Sequence, residues 1–465
     1  GEGARRGADG WPSFPAAGGK AAAGFEPHLA TAVDVQFQTD GTGTSGLANA
    51  DIGGLVSFNV TGAGFNLAEG SATPTTLSFA AKRVGDGAES QSVTVANIAP
   101  ANAFTETLTA DIGTAPAGYG ASASQLSGIA GGDNAMFDVT LNTGVSGDFD
   151  GQTLQIDFTS NEVMASGLGN TAVGTETIAL NGKVYQTAVL DQQTTDIDFG
   201  IVHVGDVVAS EAVGIGNNAT GALTDTITGG FANVDGPFQG NGNLGAGVAA
   251  GTASNALTVG LNTSAAGVFS GQAALDLFSS NPDLADLALT GEMPVSLSAT
   301  VNNYANPEFF QQGGDGILSG AGNAFTLDFG NILQGDSESS LLGVINNVTG
   351  PADLLSGVFA DAALSFALAG FDPFSDLAAG NMFGGLSVGF DTASLGLGLF
   401  EETVTLMATG YNASGYSETL PDVTLTLRGR VVGVTGVPEP ATFALVLAGV
   451  AGMGWMQRRR TRAAA

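Results

Sequence analysis

The chain has 465 residues, with 72 glycines, no cysteine and only 12% charged residues. This length predicts roughly three domains, and the lack of cysteine excludes a disulfide-stapled scaffold and thiol or iron–sulfur chemistry. The formal net charge of −32 excludes nucleic acid as a partner, because such a surface repels phosphates.

The first part of the chain lacks the patterning of the rest. Residues 1–35 are rich in glycine, alanine and proline and show no periodicity. We expect them to be disordered, or to be a misassigned start that is foreign to the fold. Residues 36–73 predict a partial β repeat, because the segment 53–62 looks like the closing strand of a further copy.

One sequence block then occurs three times, at a spacing of about 120 residues. In each copy a phenylalanine and a glycine lie six residues apart, and the strand that follows ends in asparagine. We expect the phenylalanine to face a core and the glycine to occupy a turn with positive φ. The three copies are Phe79 with Gly85 and Asn97, Phe199 with Gly205 and Asn217, and Phe329 with Gly335 and Asn346.

The segments between these blocks predict an all-β fold. Apolar and polar residues alternate in them with period two, and glycine, asparagine and aspartate interrupt them at short intervals. About seven short strands per copy predict three tandem immunoglobulin-like β-sandwiches. A further block, at residues 178–182, 287–291 and 425–429, predicts the closing strand of each copy. The expected sandwiches are residues 74–188, 189–305 and 324–433, with a linker at 306–323 and a short helix within 353–376.

Few residues offer catalytic chemistry. The histidines are His28 and His203, and the equivalents of His203 in the other copies are Arg83 and Leu333. We therefore expect His203 to lie at a solvated or edge position of its strand. Two separate histidines make no zinc site, and no Ser-His-Asp arrangement is visible. We expect a protein that is not an enzyme and has no catalytic residue, metal site or cofactor.

An acidic pair is the strongest candidate for cation binding. Asp148 and Asp150 lie in a glycine-flanked turn and could offer oxygen ligands to Ca²⁺. The equivalent turn of the second copy, residues 267–271, contains no acid. An ordinary turn is therefore the favoured interpretation, and calcium binding is expected to be weak and diffuse.

The C-terminal tail combines a short motif, an apolar run and a basic cluster. The apolar run predicts a transmembrane helix at residues 441–457, because the arginines after it resist crossing the membrane. A buried helix and a permanent tail anchor are the alternatives, since the run is short for a span. The motif is Val437, Pro438, Glu439 and Pro440, and the basic stop is Arg458, Arg459, Arg460 and Arg462.

This tail, over residues 437–462, closely resembles the PEP-CTERM sorting signal of Gram-negative bacteria. The resemblance implies cleavage by an exosortase, transient anchoring in the inner membrane, and delivery to the cell surface or extracellular matrix. The repeats resemble the choice-of-anchor D domain, an immunoglobulin-like module of bacterial surface proteins. That resemblance is clearest from Phe199 to Gly205 and implies no catalytic activity.

These features favour an exported protein with a structural or spacer role in the exopolysaccharide layer. The alternative is an adhesin or carbohydrate-binding surface protein, which would need an exposed aromatic platform. With 2 Trp and 5 Tyr in the chain, that platform is thinly supported. The expected partners are the exosortase, the membrane through the C-terminal helix before processing, and extracellular polysaccharide as a further candidate.

Overall fold

The computed structural model describes residues 28–38, 48, 50–164, 166–361, 365–433 and 442–460. In these residues nearly all regular structure is β-strand, arranged as one hairpin followed by three sandwiches. The hairpin pairs β1 (His28–Val35) with β2 (Val56–Ala63) in antiparallel register. The all-β class and the three tandem sandwiches predicted from the sequence are confirmed.

Sandwich 1 contains the strands β3 to β14. Its two main sheets have the strand orders β3-β6-β10-β8 and β4-β13-β12-β7-β9, and β11-β14-β5 forms a small third sheet. The strands are β3 (Gly70–Thr73), β4 (Thr76–Ser78), β5 (Lys82–Arg83), β6 (Glu89–Asn97), β7 (Thr107–Ile112), β8 (Tyr119–Ala121), β9 (Gln125–Ile129), β10 (Asn134–Leu141), β11 (Gly147–Asp148), β12 (Gln152–Asn161), β13 (Thr171–Asn181) and β14 (Lys183–Tyr185).

Sandwich 2 contains the strands β15 to β23. One sheet has the order β15-β17-β20-β19, and the other has the order β16-β23-β21-β18 with β22 added to β21. The strands are β15 (Leu190–Gln192), β16 (Asp196–His203), β17 (Glu211–Asn217), β18 (Thr226–Val234), β19 (Phe238–Asn241), β20 (Thr252–Leu261), β21 (Gly267–Ser280), β22 (Leu287–Ala288) and β23 (Val295–Asn302).

Sandwich 3 contains the strands β24 to β34. Its sheets have the orders β24-β27-β31-β29 and β25-β26-β34-β32-β28-β30, and β33 pairs with β32. The strands are β24 (Pro307–Gly314), β25 (Ile317–Ala321), β26 (Ala324–Leu333), β27 (Ser337–Asn346), β28 (Leu354–Asp361), β29 (Ala367–Ala369), β30 (Phe374–Leu377), β31 (Met382–Asp391), β32 (Gly398–Tyr411), β33 (Ser417–Thr419) and β34 (Val423–Val432).

Each sandwich has its own core, built from alternate residues of facing strands. In β12, for example, Leu154, Ile156 and Phe158 are buried while the residues between them face outward. This alternation follows from the pleat, which turns successive side chains to opposite faces. In each sandwich an early strand pairs in parallel with a closing strand, so β4 lies beside β13, β16 beside β23 and β26 beside β34.

Three expected segment assignments are wrong. Residues 306–323 are not a linker, because β24 and β25 pair with β27 and β26 in the sheets of sandwich 3. The expected helix within 353–376 is replaced by β28, β29 and β30 in the residues described there. The closing strand of sandwich 2 is β23 and not the block at 287–291, of which only the first two residues form a strand, β22. Composition misled the first two assignments and a similar sequence block misled the third, whereas strand pairing decides all three.

The N-terminal boundary of sandwich 1 also differs from the expectation. The partial repeat expected at residues 36–73 forms only the second strand of the hairpin, β2, which ends at Ala63. The first strand, β1, comes from the end of the segment 1–35, so the disorder expected there is wrong for residues 28–35. Ala68 and Ala72 are buried in the core of sandwich 1, and β3 pairs with β6 of that sandwich. Most of the expected disordered start, residues 1–27, lies outside the described residues.

The C-terminal helix is present but falls short of the expected span. The helix α1 (Thr442–Arg460) covers the apolar run, and its last residues are Gln457 and three arginines. The described residues contain no helix long and apolar enough to cross a membrane. A span needs about 20 apolar residues, and the polar end of α1 leaves fewer than this. The transmembrane assignment of residues 441–457 is therefore not confirmed.

Two of the three repeat phenylalanines lie in the core as expected. Phe79 is 7% exposed and Phe329 is 6% exposed, whereas Phe199 is half-buried and stacks on Phe238 at the margin of its core. Gly85, Gly205 and Gly335 have φ values of 90°, 87° and 103°, as the turn requires. The glycine six residues after each repeat phenylalanine therefore has the expected positive φ in all three copies.

Replacing Phe329 by alanine should lower the free energy of unfolding of sandwich 3 by about 3–5 kcal/mol, because a large buried ring is lost. Phe329 stacks on Phe366 and Phe390, so its cavity has no neighbour ready to fill it. Phe199→Ala is the matched control and should cost less, since its ring is only half-buried. Chemical denaturation of both variants measures the loss in free energy of unfolding. An equal or larger loss for Phe199→Ala would contradict the burial pattern.

Candidate functional site

A tight turn ends the strands β5, β16 and β26, one in each sandwich, and fixes the residue that begins it. The Asp86 carboxylate accepts the backbone N–H of Arg83, and the Asp206 carboxylate accepts that of His203, each at 2.7 Å. The third residue of each turn is the positive-φ glycine. We call the first residue of this turn the turn residue, and in the three sandwiches it is Arg83, His203 and Leu333.

A threonine from the facing sheet holds each turn in place. The Thr143 hydroxyl donates to the Asp86 carbonyl at 2.5 Å, and the Thr263 hydroxyl donates to the Asp206 carbonyl at 2.8 Å. Thr392 donates to the equivalent carbonyl in sandwich 3 at 2.6 Å. The turn residue is therefore fixed to the body of its sandwich, and its side chain is presented with little freedom.

Each sandwich also contains one fully buried carboxylate, which we call the junction acid. The junction acids are Glu106, Asp225 and Asp353, and each is 0% exposed. The repeat asparagine positions each one, because the Asn217 amide donates to the Asp225 carbonyl at 3.1 Å. Asn97 and Asn346 make the same contact in their own sandwiches. The asparagine conspicuous in the sequence thus serves to place a buried acid.

The junction between sandwiches 1 and 2 joins a turn residue to a junction acid. The Arg83 Nε lies 2.9 Å from Asp225 Oδ2, and its Nη2 donates to the carbonyls of Ser279 and Ala285 at 3.2 and 3.0 Å. The Arg83 side chain is only 13% exposed. The hydroxyl of Ser279 and the amide of Asn281 also donate to Asp225, both at 2.7 Å. The charges are thus paired and their remaining hydrogen-bonding groups are largely satisfied.

A second contact closes the rim of the same junction. The Tyr185 hydroxyl donates to Asp283 Oδ2 at 2.6 Å, and Lys183 Nζ lies 3.4 Å from the same oxygen. The Tyr185 bond, and more weakly Lys183, hold the pKa of Asp283 below its usual range. Burial and the bond to Asp283 raise the pKa of Tyr185. Near neutral pH Asp283 is ionised and Tyr185 is neutral, and these are the forms that the contact stabilises.

The junction between sandwiches 2 and 3 repeats this plan with histidine. His203 Nε2 lies 2.8 Å from Asp353 Oδ2, and His203 is 5% exposed. The amides of Asn302 and Asn412 donate to the other oxygen of Asp353 at 3.1 and 2.8 Å. Asp206 Oδ2 lies 3.6 Å from Nδ1 on the other side of the ring. The imidazole therefore lies between two carboxylates.

Two tyrosines enclose this imidazole. The ring of Tyr304 stacks on His203 at 4.3 Å with an interplanar angle of 6°, and Tyr416 meets it at 4.3 Å and 56°. Burial is the main cause that raises the pKa of both Tyr304 and Tyr416. Because these rings belong to sandwich 3 and its border, His203 is held by packing as well as by charge.

The expectation that His203 is solvated is therefore wrong, whereas the alternative of an edge position agrees with the place of β16 at the edge of its sheet. The sequence did not predict the junction acids. The pattern Arg, His and Leu suggests a solvated position, but the two basic residues found there each contact a buried acid. The matching signal is the acid seven to nine residues after each repeat asparagine. It stands in Thr105-Glu-Thr-Leu-Thr109 and again in Thr224-Asp-Thr-Ile-Thr228.

The other candidate residues take no part in these junction pairs. Asp148 accepts the backbone N–H of Asp150, which lies 3.7 Å from Lys183 Nζ. No group of three or more metal-ligating side chains occurs in the described part of the chain. His28 begins β1, and Arg458, Arg459 and Arg460 lie in the last turn of α1. Outside the described residues lie Val437, Pro438, Glu439, Pro440 and Arg462.

Comparison with known proteins identifies one sequence feature. A family model described as the PEP-CTERM protein-sorting motif matches residues 436–460. This match includes the Pro-Glu-Pro motif and the helix α1, and it indicates export by the exosortase route to the cell surface or exterior. Among curated proteins, no sequence matches this chain.

Solved structures with similar architecture are distant. The extracellular cadherin domains 1–5 of protocadherin gamma B2 share 11% identity at a TM-score of 0.37, covering 88% of this chain and 66% of that chain. The domains EC22–24 of mouse cadherin-23 share 13% identity at a TM-score of 0.33, covering 79% and 100%. This chain thus spans just under two thirds of the protocadherin. Likeness at this level carries no information on function.

Replacing His203 by leucine, the residue found at this position in sandwich 3, should lower the free energy of unfolding by roughly 3 kcal/mol, because the buried Asp353 carboxylate loses the hydrogen-bond partner of its Oδ2. His203→Leu combined with Asp353→Asn should recover part of the loss. Val207→Ala is the control, since that side chain is fully exposed. Calorimetry on the full chain measures all three. A double variant less stable than the single one would contradict the ion-pair account.

The contact between Tyr185 and Asp283 should make the first junction sensitive to acid. The lowered pKa of Asp283 stabilises the folded state fully above pH 3.8, its ordinary value, and this contribution is lost as the pH falls further. The raised pKa of Tyr185 acts in the opposite direction and loses its contribution above pH 10. Tyr185→Phe should flatten the stability profile below pH 3.8. An unchanged profile in thermal denaturation would contradict this.

Proposed function

We propose that this chain is an exosortase-processed protein of the cell surface or extracellular matrix whose sandwiches form a stiff spacer. The observation that carries the proposal is the pair of buried contacts, Arg83 with Asp225 and His203 with Asp353, which join successive sandwiches. A protein that spans an extracellular layer needs fixed length rather than a reactive cleft. These junctions provide fixed angles between units.

Stiffness follows from what bending would expose. Domains joined by small polar interfaces normally move relative to one another. Separating sandwiches 1 and 2 would break the ion pair between Arg83 and Asp225 and the bonds of the Arg83 guanidinium to two backbone carbonyls. All of these contacts would be lost together, because one side chain makes them. Large bends at the junction are therefore rare in solution.

The aromatic residues favour a spacer over a carbohydrate-binding protein. A sugar platform needs a ring face that is free for a ligand, but Tyr304 and Tyr416 both pack on His203 at the second junction, where Tyr304 is 44% exposed. Among the described tyrosines, Tyr119 and Tyr185 are buried, and Tyr411 bonds Asp376. The described tyrosines thus serve structural contacts. The adhesin alternative has no comparable observation behind it.

The acidic surface suggests how the spacer meets its surroundings. A net charge of −32 makes the protein attract cations and repel other anionic surfaces. Divalent cations would screen repulsion between sandwiches and could bridge the protein to acidic polysaccharide. This supports a place in the exopolysaccharide layer, with diffuse cation binding rather than a dedicated metal site.

Processing at the sorting motif should remove the tail from the mature protein. The motif Pro438-Glu439-Pro440 directly precedes the apolar run that forms α1, so a membrane protease could reach it. Mass spectrometry of the surface form from a host with an exosortase should find that residues Ala441 to Ala465 are absent. A surface form that retains Arg462 would contradict this proposal.

The spacer role should be visible as a constant molecular length. Small-angle scattering of the full chain should give an elongated particle whose maximum dimension changes little with added NaCl. The variant Arg83→Leu/His203→Leu should show a broader distance distribution, because both junctions lose their buried pair. Val207→Ala serves as the control. A double variant with the same scattering profile as the unmodified chain would contradict the stiff-spacer proposal while leaving the export route untouched.

A further inference from the structure

Glu106 is the junction acid of sandwich 1, and no described residue supplies its basic partner. Its Oε2 accepts the Ser160 hydroxyl at 2.6 Å, but Oε1 is buried and makes no hydrogen bond with any described residue. The junction acids of sandwiches 2 and 3 each receive a basic side chain from the sandwich before them. A buried carboxylate oxygen without a partner is costly, so its retention indicates a partner elsewhere.

The surroundings of Glu106 follow the same plan as the two occupied junctions. The Glu106 N–H donates to the Asn66 carbonyl at 2.9 Å, just as the N–H of Asp225 donates to Gln186 and that of Asp353 to Asn303. Ser160 also accepts the Ala68 N–H, as Ser279 accepts that of Ala188 in sandwich 2. The acid is therefore held as if a neighbouring sandwich were in place.

One substitution makes this site more dependent on an external cation. Asn281 lies two residues after Ser279 and donates to its junction acid, as Asn412 does in sandwich 3. The equivalent of Asn281 in sandwich 1 is Glu162, two residues after Ser160. A carboxylate cannot donate a hydrogen bond, so Glu162 adds negative charge where the other sandwiches have an amide. Glu162 is exposed and its carboxylate accepts the N–H groups of Gly167 and Gly169, so Glu106 lacks the amide donor that the other two junction acids have.

The hairpin before sandwich 1 offers a strand edge beside this acid. Phe65 directly precedes the bridging residue Asn66, as Tyr185 precedes Gln186. Tyr185 ends a closing strand and is the register partner of Arg83 on a parallel strand. In the described residues β2 pairs only with β1, so its other edge is open for a parallel strand. Such a strand would bring its own turn residue opposite Phe65 and against Glu106.

The hairpin also has an uncovered apolar face. Val56, Phe58 and Val60 alternate along β2, and Val33 is the register partner of Phe58 on β1. All four side chains are at least 40% exposed. Alternate residues of a strand point to one side of a sheet, so these side chains form one apolar surface. In the three sandwiches such a surface is covered by a second sheet.

We propose that the open edge of β2 and Glu106 together form a docking site for the first strand of another sandwich of this repeat type. The strand is extended, pairs in parallel with β2, and carries arginine or histidine before an x-Gly-Asp turn. The first strands of the described sandwiches are already paired with their own closing strands, so the donor is an additional sandwich. The inference rests on the site itself and holds for a spacer and an adhesin alike.

Synthetic peptides taken from this chain test the proposal directly. The probe is a fluorescent peptide of residues 76–86, which contains Arg83 and the Gly-Asp turn, and its matched control carries Arg83→Leu. The natural peptide of residues 326–336, with Leu333, is a second control. Anisotropy with the full chain should show binding of the first peptide, and the Arg83→Leu peptide should bind at least about tenfold more weakly.

The variant Glu106→Gln tests whether the carboxylate selects the basic residue of the peptide, because it keeps the shape of the side chain and its bond to Ser160. This variant should lose the preference for arginine over leucine, while Asp225→Asn should keep it because Arg83 of the chain already occupies that acid. Without peptide, Glu106→Gln should raise the melting temperature and Asp225→Asn should lower it. Equal binding of both peptides, no binding, or a preference that survives Glu106→Gln would overturn the proposal.

Discussion

A carboxylate buried without a counter-charge destabilises the domain that contains it, and every described sandwich buries one. Glu106, Asp225 and Asp353 occupy the same place, fixed by the repeat asparagine. In two of the three cases the counter-charge comes from the neighbouring sandwich and not from the same one. The stability of a sandwich and its position on its neighbour are therefore linked, and the rest of the molecule depends on this link.

The two occupied junctions solve the same problem with different side chains. Arg83 offers a planar fork that satisfies Asp225 and two carbonyls together, as guanidinium geometry allows. His203 offers a single ring nitrogen to Asp353, and stacked tyrosine rings supply the remaining contact. Tyr185 and Lys183 strengthen the first junction at its rim. One backbone plan thus accepts different basic residues when the contacts around them are adjusted.

Much of the fold could be predicted from the sequence, because period-two alternation and positive-φ glycines are local properties. The turn glycines and the core positions of Phe79 and Phe329 follow from such local patterns. Residues 306–323 could not be assigned in this way, since glycine content resembles a linker whether or not a partner strand is present. The strand β23 was missed for the same reason, because pairing with β16 defines it as the closing strand.

The candidate site was harder to predict than the fold, because it exists only between domains. His203 and Asp353 are 150 residues apart, and neither is unusual in its local sequence. Comparing the repeats position by position would have shown a basic residue at one position and an acid at another. A comparison of repeats would not have shown that the two positions meet between successive sandwiches and not within one sandwich.

The central claim is that buried ion pairs fix successive sandwiches at constant angles, and a distance distribution across one junction tests it most directly. The chain contains no cysteine, so spin labels can be placed at single sites on the exposed surfaces of sandwiches 2 and 3. Pulsed electron resonance should give one narrow distance peak for the unmodified junction and a broad distribution for His203→Leu. A distribution that is equally broad before and after the substitution would contradict the account.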